Sequence, residues 1–115
     1  MANIGGNIIG TVQVNTVAKN AIGEGDKTWV NAFSHAGWLD LQSGDSKYST
    51  HKAKLEESTH VFICDYHPGI YALADRDARM IIKGVVYDIL LIDNPMEKND
   101  HLEIYLRKVG AWDGR

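Results

Sequence analysis

The strongest constraint on the fold is the stretch RMIIKGVVYDILLI, residues 79–92, in which two apolar, β-branched runs flank a lysine and a glycine. Valine, isoleucine and tyrosine favour extended backbone, and Gly84 can adopt positive φ without a steric penalty. Two such runs separated by two residues are typical of antiparallel strands joined by a primed turn. Because residues 85–92 are apolar on both faces except at Asp88, we predict a hairpin whose second strand is central and covered on both sides.

The segment that follows the hairpin predicts another strand. HLEIYLRKV, residues 101–109, alternates between apolar and polar residues, which is the period of a half-buried strand. Its Leu102, Ile104 and Leu106 are predicted to face the core. The polar segment NPMEKND, residues 94–100, supplies the connecting turn. Three consecutive strands therefore form a predicted meander.

Three more strands are predicted before the hairpin. They are NIIGTVQVNTV (residues 7–17), TWVNAFSHAGWLDLQ (residues 28–42) and THVFICDY (residues 59–66). Gly37, in the middle of the second of these, predicts a bend or bulge. Residues 71–78 are predicted to form a turn or one short helical turn. Residues 43–58 are polar without an apolar stripe, and a loop of this length in a small domain is often functional.

About six strands and almost no helix predict an all-β fold, a small antiparallel β-barrel with one long polar loop. Closure of the sheet removes the exposed strand edges that an all-β chain must otherwise protect. The length of 115 residues suits one domain with one small core, so residues 1–115 are predicted to form a single domain.

Composition narrows the environment in which the chain works. The net charge of −3 argues against free binding to duplex nucleic acid, which usually requires a basic excess. A single cysteine, Cys64, allows no intrachain disulfide and fits a reducing compartment. The opening MANIGGNIIG lacks the pattern of a signal peptide, and no stretch approaches the ~18 apolar residues of a membrane span. We expect assembly in a cytoplasm, without membrane contact.

The chemistry-bearing residues do not form a catalytic pattern. His60 and Cys64 share a strand face and could supply half of a zinc site, but a lone cysteine is often a small buried apolar residue. The carboxylate pairs Asp75–Asp77 and Glu56–Glu57 are expected to be solvated turn residues. We predict no catalytic residue, no metal ion and no cofactor, and therefore a protein that is not an enzyme.

Most aromatic residues lie within apolar strands, where core packing is the expected role. These are Trp29, Phe33, Trp38, Tyr66, Tyr71, Tyr87, Tyr105 and Trp112. Tyr48 is the exception, because it lies beside Lys47, His51, Lys52 and Lys54 in the polar loop. These five residues are the candidate assembly contacts, with an acidic protein or a nucleic-acid backbone as the expected partner. An ordinary solvated loop explains the same composition.

The order of the segments resembles a known family. TWVNAFSHAGWLDLQSGDSKY is followed by ESTHVFICDYHPGI, DARMIIKGVVYDILLI and HLEIYLRKVG. This order resembles the head closure, or head–tail joining (connector), proteins of long-tailed bacteriophages and prophages. The resemblance covers about residues 28–109, and residues 1–27 match poorly. The positions that match are Trp29, Ser43–Gly44, Thr59–His60, Arg79, Met80, Ile81, Gly84, Tyr87 and Ile89.

The resemblance implies a structural β-barrel that joins a ring beneath the portal after DNA packaging. Such a protein closes the DNA-filled head and bridges it to the tail. The implied partners are portal or adaptor ring proteins, tail-side proteins, other copies of the chain and packaged DNA. The implied location is the head–tail interface of the virion, with the host cytoplasm as the place of assembly.

Two alternative functions remain open from the sequence. One is a tail-completion protein of the same particle. The other is a β-barrel that binds single-stranded nucleic acid, which would need stacking aromatics along a basic groove. The net charge of −3 and the predicted burial of most aromatics argue against the second alternative.

Overall fold

The computed structural model describes residues 4–16, 28–41 and 58–114 of the chain. The strands close into an antiparallel barrel in the order β1-β2-β3-β6-β5-β4, so the predicted fold class is confirmed. The elements are β1 (Ile8–Asn15), β2 (Trp29–Leu41), β3 (His60–Asp65), helix α1 (Pro68–Tyr71), β4 (Ala78–Ile82), β5 (Val85–Asp93), a 3₁₀ helix (Pro95–Glu97) and β6 (His101–Ala111). No helix in the described part of the chain is long and apolar enough to cross a membrane.

The hairpin predicted from residues 79–92 is formed by β4 and β5. Lys83 and Gly84 make the turn with φ angles of 48° and 76°, and positive φ at both central residues defines a type I′ turn. The prediction of positive φ at Gly84 is therefore confirmed. The backbone N–H of Trp112 donates to the carbonyl of Gly84 at 2.8 Å, which ties the turn to the chain that follows β6.

The core lies inside the barrel, and β6 supplies three of its fully buried side chains. Leu102, Ile104 and Leu106 are buried as predicted, and they contact a cluster that includes Phe62 of β3. Burial of one such aliphatic side chain stabilises the fold by about 1.5–3 kcal/mol. The remaining fully buried members are Val12, Cys64, Ile70, Met80 and Ile82.

Strand β5 is less regular than predicted. Its pairing with β6 shifts register between Val86 and Tyr87 and again between Ile89 and Leu91. Val86 and Tyr87 are both buried, so the beginning of β5 is covered on both faces as predicted. Residues 89–91 are only half-buried, because the second bulge breaks the alternation that would have placed them on fixed faces.

The bulge predicted at Gly37 is wrong. Gly37 pairs regularly with Ile8 on one side and with Cys64 on the other. A Cβ at this position would lie 2.5 Å from Cζ of Phe62, so the glycine serves close packing instead. The bulge in β2 is at Ala32, because Val12 pairs with residue 33 and its neighbour in β1 pairs with residue 31.

Helix α1 begins earlier than the turn predicted at residues 71–78. His67 caps its first turn, because Nδ1 of His67 accepts a hydrogen bond from the backbone N–H of Ile70 at 3.2 Å. Pro68 occupies the first helical turn, where its missing N–H has no cost. Ile70 is fully buried. The short helix, which follows β3 in the chain and precedes β4, thus contributes an apolar side chain to the core.

The segment between β5 and β6 is the polar turn that the sequence predicts. The side chain of Asn94 donates to Oδ1 of Asn99 at 2.8 Å and accepts from the backbone N–H of Asn99 at 3.1 Å. Asn94 is buried, and these two hydrogen bonds satisfy both ends of its amide. Tyr71 donates to Oε1 of Glu97 at 2.7 Å, which connects this turn to α1.

Candidate assembly surface

The five predicted contact residues lie outside the described part of the chain. They are Lys47, Tyr48, His51, Lys52 and Lys54. Of the predicted loop 43–58, only Ser58 is described, and it is buried. In the described part of the chain, the surface consists mainly of the outer faces of the six strands.

Two positions of the motif pattern, Trp29 and Arg79, meet on the outside of the barrel. The guanidinium carbon of Arg79 lies 4.4 Å from the centroid of the Trp29 ring. The bulge at Ala32 makes this contact available, because it moves Trp29 from the inner to the outer face of β2. Cation–π contacts of this kind contribute about 0.5–1 kcal/mol at exposed sites.

A line of polar side chains runs around the barrel from this contact. Nε of Arg79 donates to Oε1 of Gln13 at 2.7 Å, and Nε2 of Gln13 donates to Oδ1 of Asn31 at 2.8 Å. Gln13 is only 5% exposed, so its amide requires both hydrogen bonds. The three residues lie directly opposite one another on β4, β1 and β2.

The same line continues onto β5 and β6. Asp88 lies opposite Arg79 on one side and opposite Arg107 on the other. Nη2 of Arg107 donates to Oδ2 of Asp88 at 3.0 Å. Burial lowers the pKa of Arg79, and the carboxylates of Asp113 and Asp88 act in the opposite direction. We call these five residues the outer polar band: Asn31, Gln13, Arg79, Asp88 and Arg107.

The Thr59–His60 pair of the motif pattern fastens β3 to β6. The backbone N–H of Thr59 donates to the carbonyl of Leu106 at 2.8 Å, and Oγ1 of Thr59 accepts from the backbone N–H of Lys108 at 2.8 Å. The His60 ring lies 5.2 Å from the ring of Tyr87. Burial, followed by the charge of Lys108, lowers the pKa of His60. These motif residues thus support closure of the barrel.

Cys64 is a core residue. It is fully buried, on the inner face of β3. Burial, followed by the charge of Asp65, raises the pKa of its thiol to about 12, and only the thiolate form binds metal or acts as a nucleophile. Within residues 4–16, 28–41 and 58–114, no group of three or more His, Cys, Asp or Glu side chains could hold a metal ion.

The described members of the predicted carboxylate pairs, Asp75 and Asp77, lie in the turn after α1. Asp75 is exposed in the turn after α1. Oδ2 of Asp77 accepts a hydrogen bond from the Asn15 side chain at 2.9 Å, which joins that turn to the end of β1. Glu56 and Glu57 lie outside the described residues.

Two exposed tryptophans contradict the prediction that the strand aromatics are core residues. Trp38 is 45% exposed and Trp112 is 40% exposed. Trp38 lies between Gly37 and Leu39, and period-2 alternation directs it outward when these neighbours face inward. It pairs with Ile63 of β3. The exposed Ile9 lies on the same face, because it pairs with Ala36, two residues before Trp38. We call the outer faces of β1, β2 and β3 the first wall.

Residues 4–7 connect two strands of the first wall through hydrogen bonds. The backbone N–H groups of Ile4 and Gly5 donate to the Asp65 carboxylate at 2.7 and 3.1 Å. Nε1 of Trp38 donates to the carbonyl of Ile4 at 2.9 Å. The segment therefore bridges β2 and β3. Sequence reasoning missed it, since only the glycines at positions 5 and 6 signalled an irregular backbone there.

A second exposed apolar area lies at the end of β6. Val109 is 60% exposed, because it is the extra residue where β6 bulges against β5. Trp112 follows and is held to Gly84 through its backbone N–H. Burial lowers the pKa of Arg79 and the carboxylate of Asp113 opposes that shift, so this segment passes close to β4. We call the outer faces of β4 and β5, with the end of β6 from Arg107 onward, the second wall.

The chain is a small closed β-barrel. Its exposed tryptophans and its outer polar band lie on the outer faces of the strands. Residues 10–109 match the family model described as phage head completion protein. Because this match spans most of the sequence, the chain belongs to the phage head completion protein family. The predicted resemblance to head closure proteins is confirmed.

One solved structure is similar in fold. It is the solution structure of protein SF1141 from Shigella flexneri 2a, with a TM-score of 0.63 and 20% sequence identity. The alignment covers 93% of this chain and 96% of that chain. At this identity the similarity shows the fold alone. No curated protein sequence matches the chain significantly.

Family membership gives the broad role. A head completion protein has a structural role in finishing the phage head, and it is located in the head region of the virion. Such a role implies contact with other head or tail proteins of the phage.

Proposed function

We propose that the chain is a head–tail connector of a phage or prophage. It joins a ring beneath the portal, closes the DNA-filled head and bridges it to the tail. The match of residues 10–109 to the head completion family carries this proposal. The role is structural and not enzymatic, and assembly takes place in the host cytoplasm.

The barrel is suited to a ring subunit, which must contact other proteins on several sides. A ring subunit meets a neighbour on each side and other components above and below it. The closed sheet supplies a rigid body for this, and many copies with weak contacts give a stable ring because each bound copy raises the effective concentration of the next.

The loop that joins β2 to β3 is the proposed contact with an acidic partner or with DNA in the channel. Leu41 and His60 are paired across β2 and β3, so both ends of the loop leave the same end of the barrel. Replacing Lys47, Tyr48, His51, Lys52 and Lys54 together by serine should leave the midpoint of thermal unfolding unchanged. The same variant should fail to complete heads; normal head completion would remove the loop from the interface.

Deletion of the gene tests the function directly. Lysates of the deleted phage should contain free tails and unjoined heads, and these heads should lose their packaged DNA because nothing closes them; electron microscopy and a nuclease-protection assay measure both effects. Expression of the chain from a plasmid during infection should restore DNA-filled, tailed and infectious particles. Normal particles without the gene would overturn the proposal. If the heads of the deleted phage join wild-type tails without the chain, whereas its tails need the chain to join wild-type heads, the tail-completion alternative is supported instead.

A further inference from the structure

We propose that the end of the barrel where β2 ends and β3 begins holds a binding site for a phosphate group, formed by His60 and Lys108 on the inner face of the sheet. We call these two residues, together with Tyr87, the mouth site. The proposed function supplies one source of phosphate, the backbone of packaged DNA. The choice of that source rests on the proposed function, whereas the site itself rests on the geometry of the barrel.

The strand register places the side chains of the mouth site on the inner face of three neighbouring strands. His60 of β3 pairs with the buried Leu106 of β6. Lys108 lies two positions after Leu106 and pairs with the buried Tyr87 of β5. Side chains two positions apart on an unbroken strand share a face, so Lys108 is also on the inner face. It is exposed, since β3 begins at His60 and does not extend alongside it.

The hydrogen bonds of Thr59 determine which nitrogen of His60 carries the proton of the neutral ring. Oγ1 of Thr59 accepts from the backbone N–H of Lys108 at 2.8 Å. Its own proton has two acceptors within reach, Nδ1 of His60 at 2.9 Å and the carbonyl oxygen of Leu106 at 3.5 Å. The shorter contact is the stronger bond, so Nδ1 accepts it. Nε2 of His60 therefore carries the proton and is a donor to a ligand.

The surroundings of His60 are cationic on one side and apolar on the other. Burial, followed by the charge of Lys108, lowers the pKa of His60, so the ammonium group acts directly on the ring. The centroid of the Tyr87 ring lies 5.2 Å from that of His60, and Tyr87 is only 6% exposed. Where such apolar groups exclude water, charges interact more strongly than in bulk water. An anion held here would thus gain from both donors.

The acidic residues of the neighbouring strands face the outside. Asp88 of β5 is on the outer face, where its carboxylate accepts from Arg107. Asp40 of β2 precedes the residue that pairs with His60, so alternation directs it outward as well. In the part of the chain that the structure describes, neither Nε2 of His60 nor Nζ of Lys108 has a hydrogen-bond or ion-pair partner. The two donors are therefore available to an anion.

A phosphate group suits this pair of donors. Its oxygens accept charge-assisted hydrogen bonds, and lysine is a common phosphate ligand that acts as a point charge. His60 adds a directed N–H donor beside it. The proposed contact loop between β2 and β3 leaves the barrel at the same end, so a DNA backbone that reaches the loop would pass the mouth site.

NMR titration of the purified chain tests the site through the imidazole resonances of His60. The probes are inorganic phosphate, acetate and chloride, added as sodium salts at equal ionic strength and neutral pH. Phosphate should shift the His60 resonances until they saturate and should raise the pKa of His60, because a bound anion favours the charged ring. Acetate and chloride should give no saturable shift. The resonances of His101, at the opposite end of β3, should not move with any probe.

Lys108→Met removes the ammonium group and keeps most of the aliphatic side chain. Without phosphate, the pKa of His60 should rise in this variant, because the like charge is gone. Its affinity for phosphate should fall at least about 10-fold, the loss expected for one charge-assisted hydrogen bond. Lys98→Met, in the exposed turn at the opposite end of the barrel, is the matched control and should bind phosphate like wild type. Thermal unfolding should show that both variants are folded.

A short DNA duplex distinguishes the two sources of phosphate. Saturable shifts of His60 with the duplex, weakened by salt and lost in Lys108→Met, would assign the site to the DNA backbone. Saturable shifts with inorganic phosphate alone would assign it to free phosphate. The site is overturned if His60 responds to phosphate no more than to acetate or chloride, or if the Lys108→Met chain responds like wild type.

The head-completion experiment separates this result from the proposed function. Normal particles without the gene would remove the function, whereas a phosphate response of the purified chain would still support the site. A wild-type chain that does not respond to phosphate and yet restores infectious particles would remove the site and keep the function.

Discussion

Strands β6 and β2 differ in how well the alternation of apolar and polar residues predicts which side chains are buried. In β6, Leu102, Ile104 and Leu106 all face inward without interruption. In β2, Phe33 packs against the core but Asn31 faces outward, because Ala32 bulges between them. Period-2 alternation therefore identifies the buried face only as far as the strand ladder is unbroken.

The irregular strand is the one that builds the outer surface. Without the bulge at Ala32, Trp29 and Asn31 would point into the barrel. With it, they reach Arg79 and Gln13 on the outside. The regular part of β6, which holds Leu102, Ile104 and Leu106, mainly stabilises the barrel, whereas the irregular strand β2 also shapes the outer surface.

The largest effect should come from the regular strand. Ile104→Ala removes a fully buried side chain of β6 and should lower the free energy of unfolding by about 2–5 kcal/mol. Urea denaturation measures the change. Val109→Ala, on the exposed part of the same strand, should cost less than about 0.5 kcal/mol. Equal costs for the two changes would show that the assigned faces of β6 are wrong.

A smaller effect should come from glycines that face the core near β2. A Cβ at Gly37 would lie 2.5 Å from Cζ of Phe62 and 2.7 Å from the backbone oxygen of Ile63. Gly37→Ala should therefore cost about 1–3 kcal/mol by overpacking.

Gly10→Ala is the matched control for that change. Its nearest neighbour is Sδ of Met80 at 2.6 Å, and a methionine side chain can move aside. The midpoint of urea unfolding should fall clearly less for Gly10→Ala than for Gly37→Ala. The reverse order would contradict the close packing of β2 against Phe62.

Substitutions in the hairpin turn should change the free energy of unfolding through the backbone conformation of the turn alone. Gly84 has φ of 76° and open space where a Cβ would lie. Gly84→Val should thus cost about 1–2 kcal/mol from the left-handed backbone. Lys83→Asn should raise the free energy of unfolding, because asparagine tolerates positive φ. A destabilised Lys83→Asn variant would mean that the turn is not type I′.

The smallest effect should be the coupling between Trp29 and Arg79. A double-mutant cycle with Trp29→Leu and Arg79→Met should give a coupling energy of about 0.5–1 kcal/mol in urea unfolding. The cycle is needed because each residue makes further interactions. Additive effects of the two changes would show that the contact across β1 contributes nothing.

The sequence predicts the hairpin and meander well because their signals are local. The Lys83–Gly84 turn, the alternation of residues 101–109 and the polar residues 94–100 each act over a few positions. The predicted contacts Lys47, Tyr48, His51, Lys52 and Lys54 stay a prediction, since they lie outside the described residues.

The missed features depend on distant parts of the chain. Alanine carries no bulge signature, so the irregularity at Ala32 follows from pairing with β1. The bonds from Ile4 and Gly5 to Asp65 join segments that no local pattern relates. Residue type predicts a core position for Trp38, whereas alternation around Gly37 places it on the outer face.

Closure of the barrel also affects how the chain reaches its native state. The seam between β1 and β4 pairs Thr11 with Ile81, so the ring of hydrogen bonds is complete only when segments far apart in the chain have met. Such non-local pairing slows folding, to milliseconds or seconds in comparable all-β domains. Until the seam forms, β1 and β4 each present an unpaired edge that another unfinished chain can join. Rapid synthesis therefore sets intramolecular closure in competition with aggregation, and the yield of usable subunits should fall as the concentration of newly made chains rises.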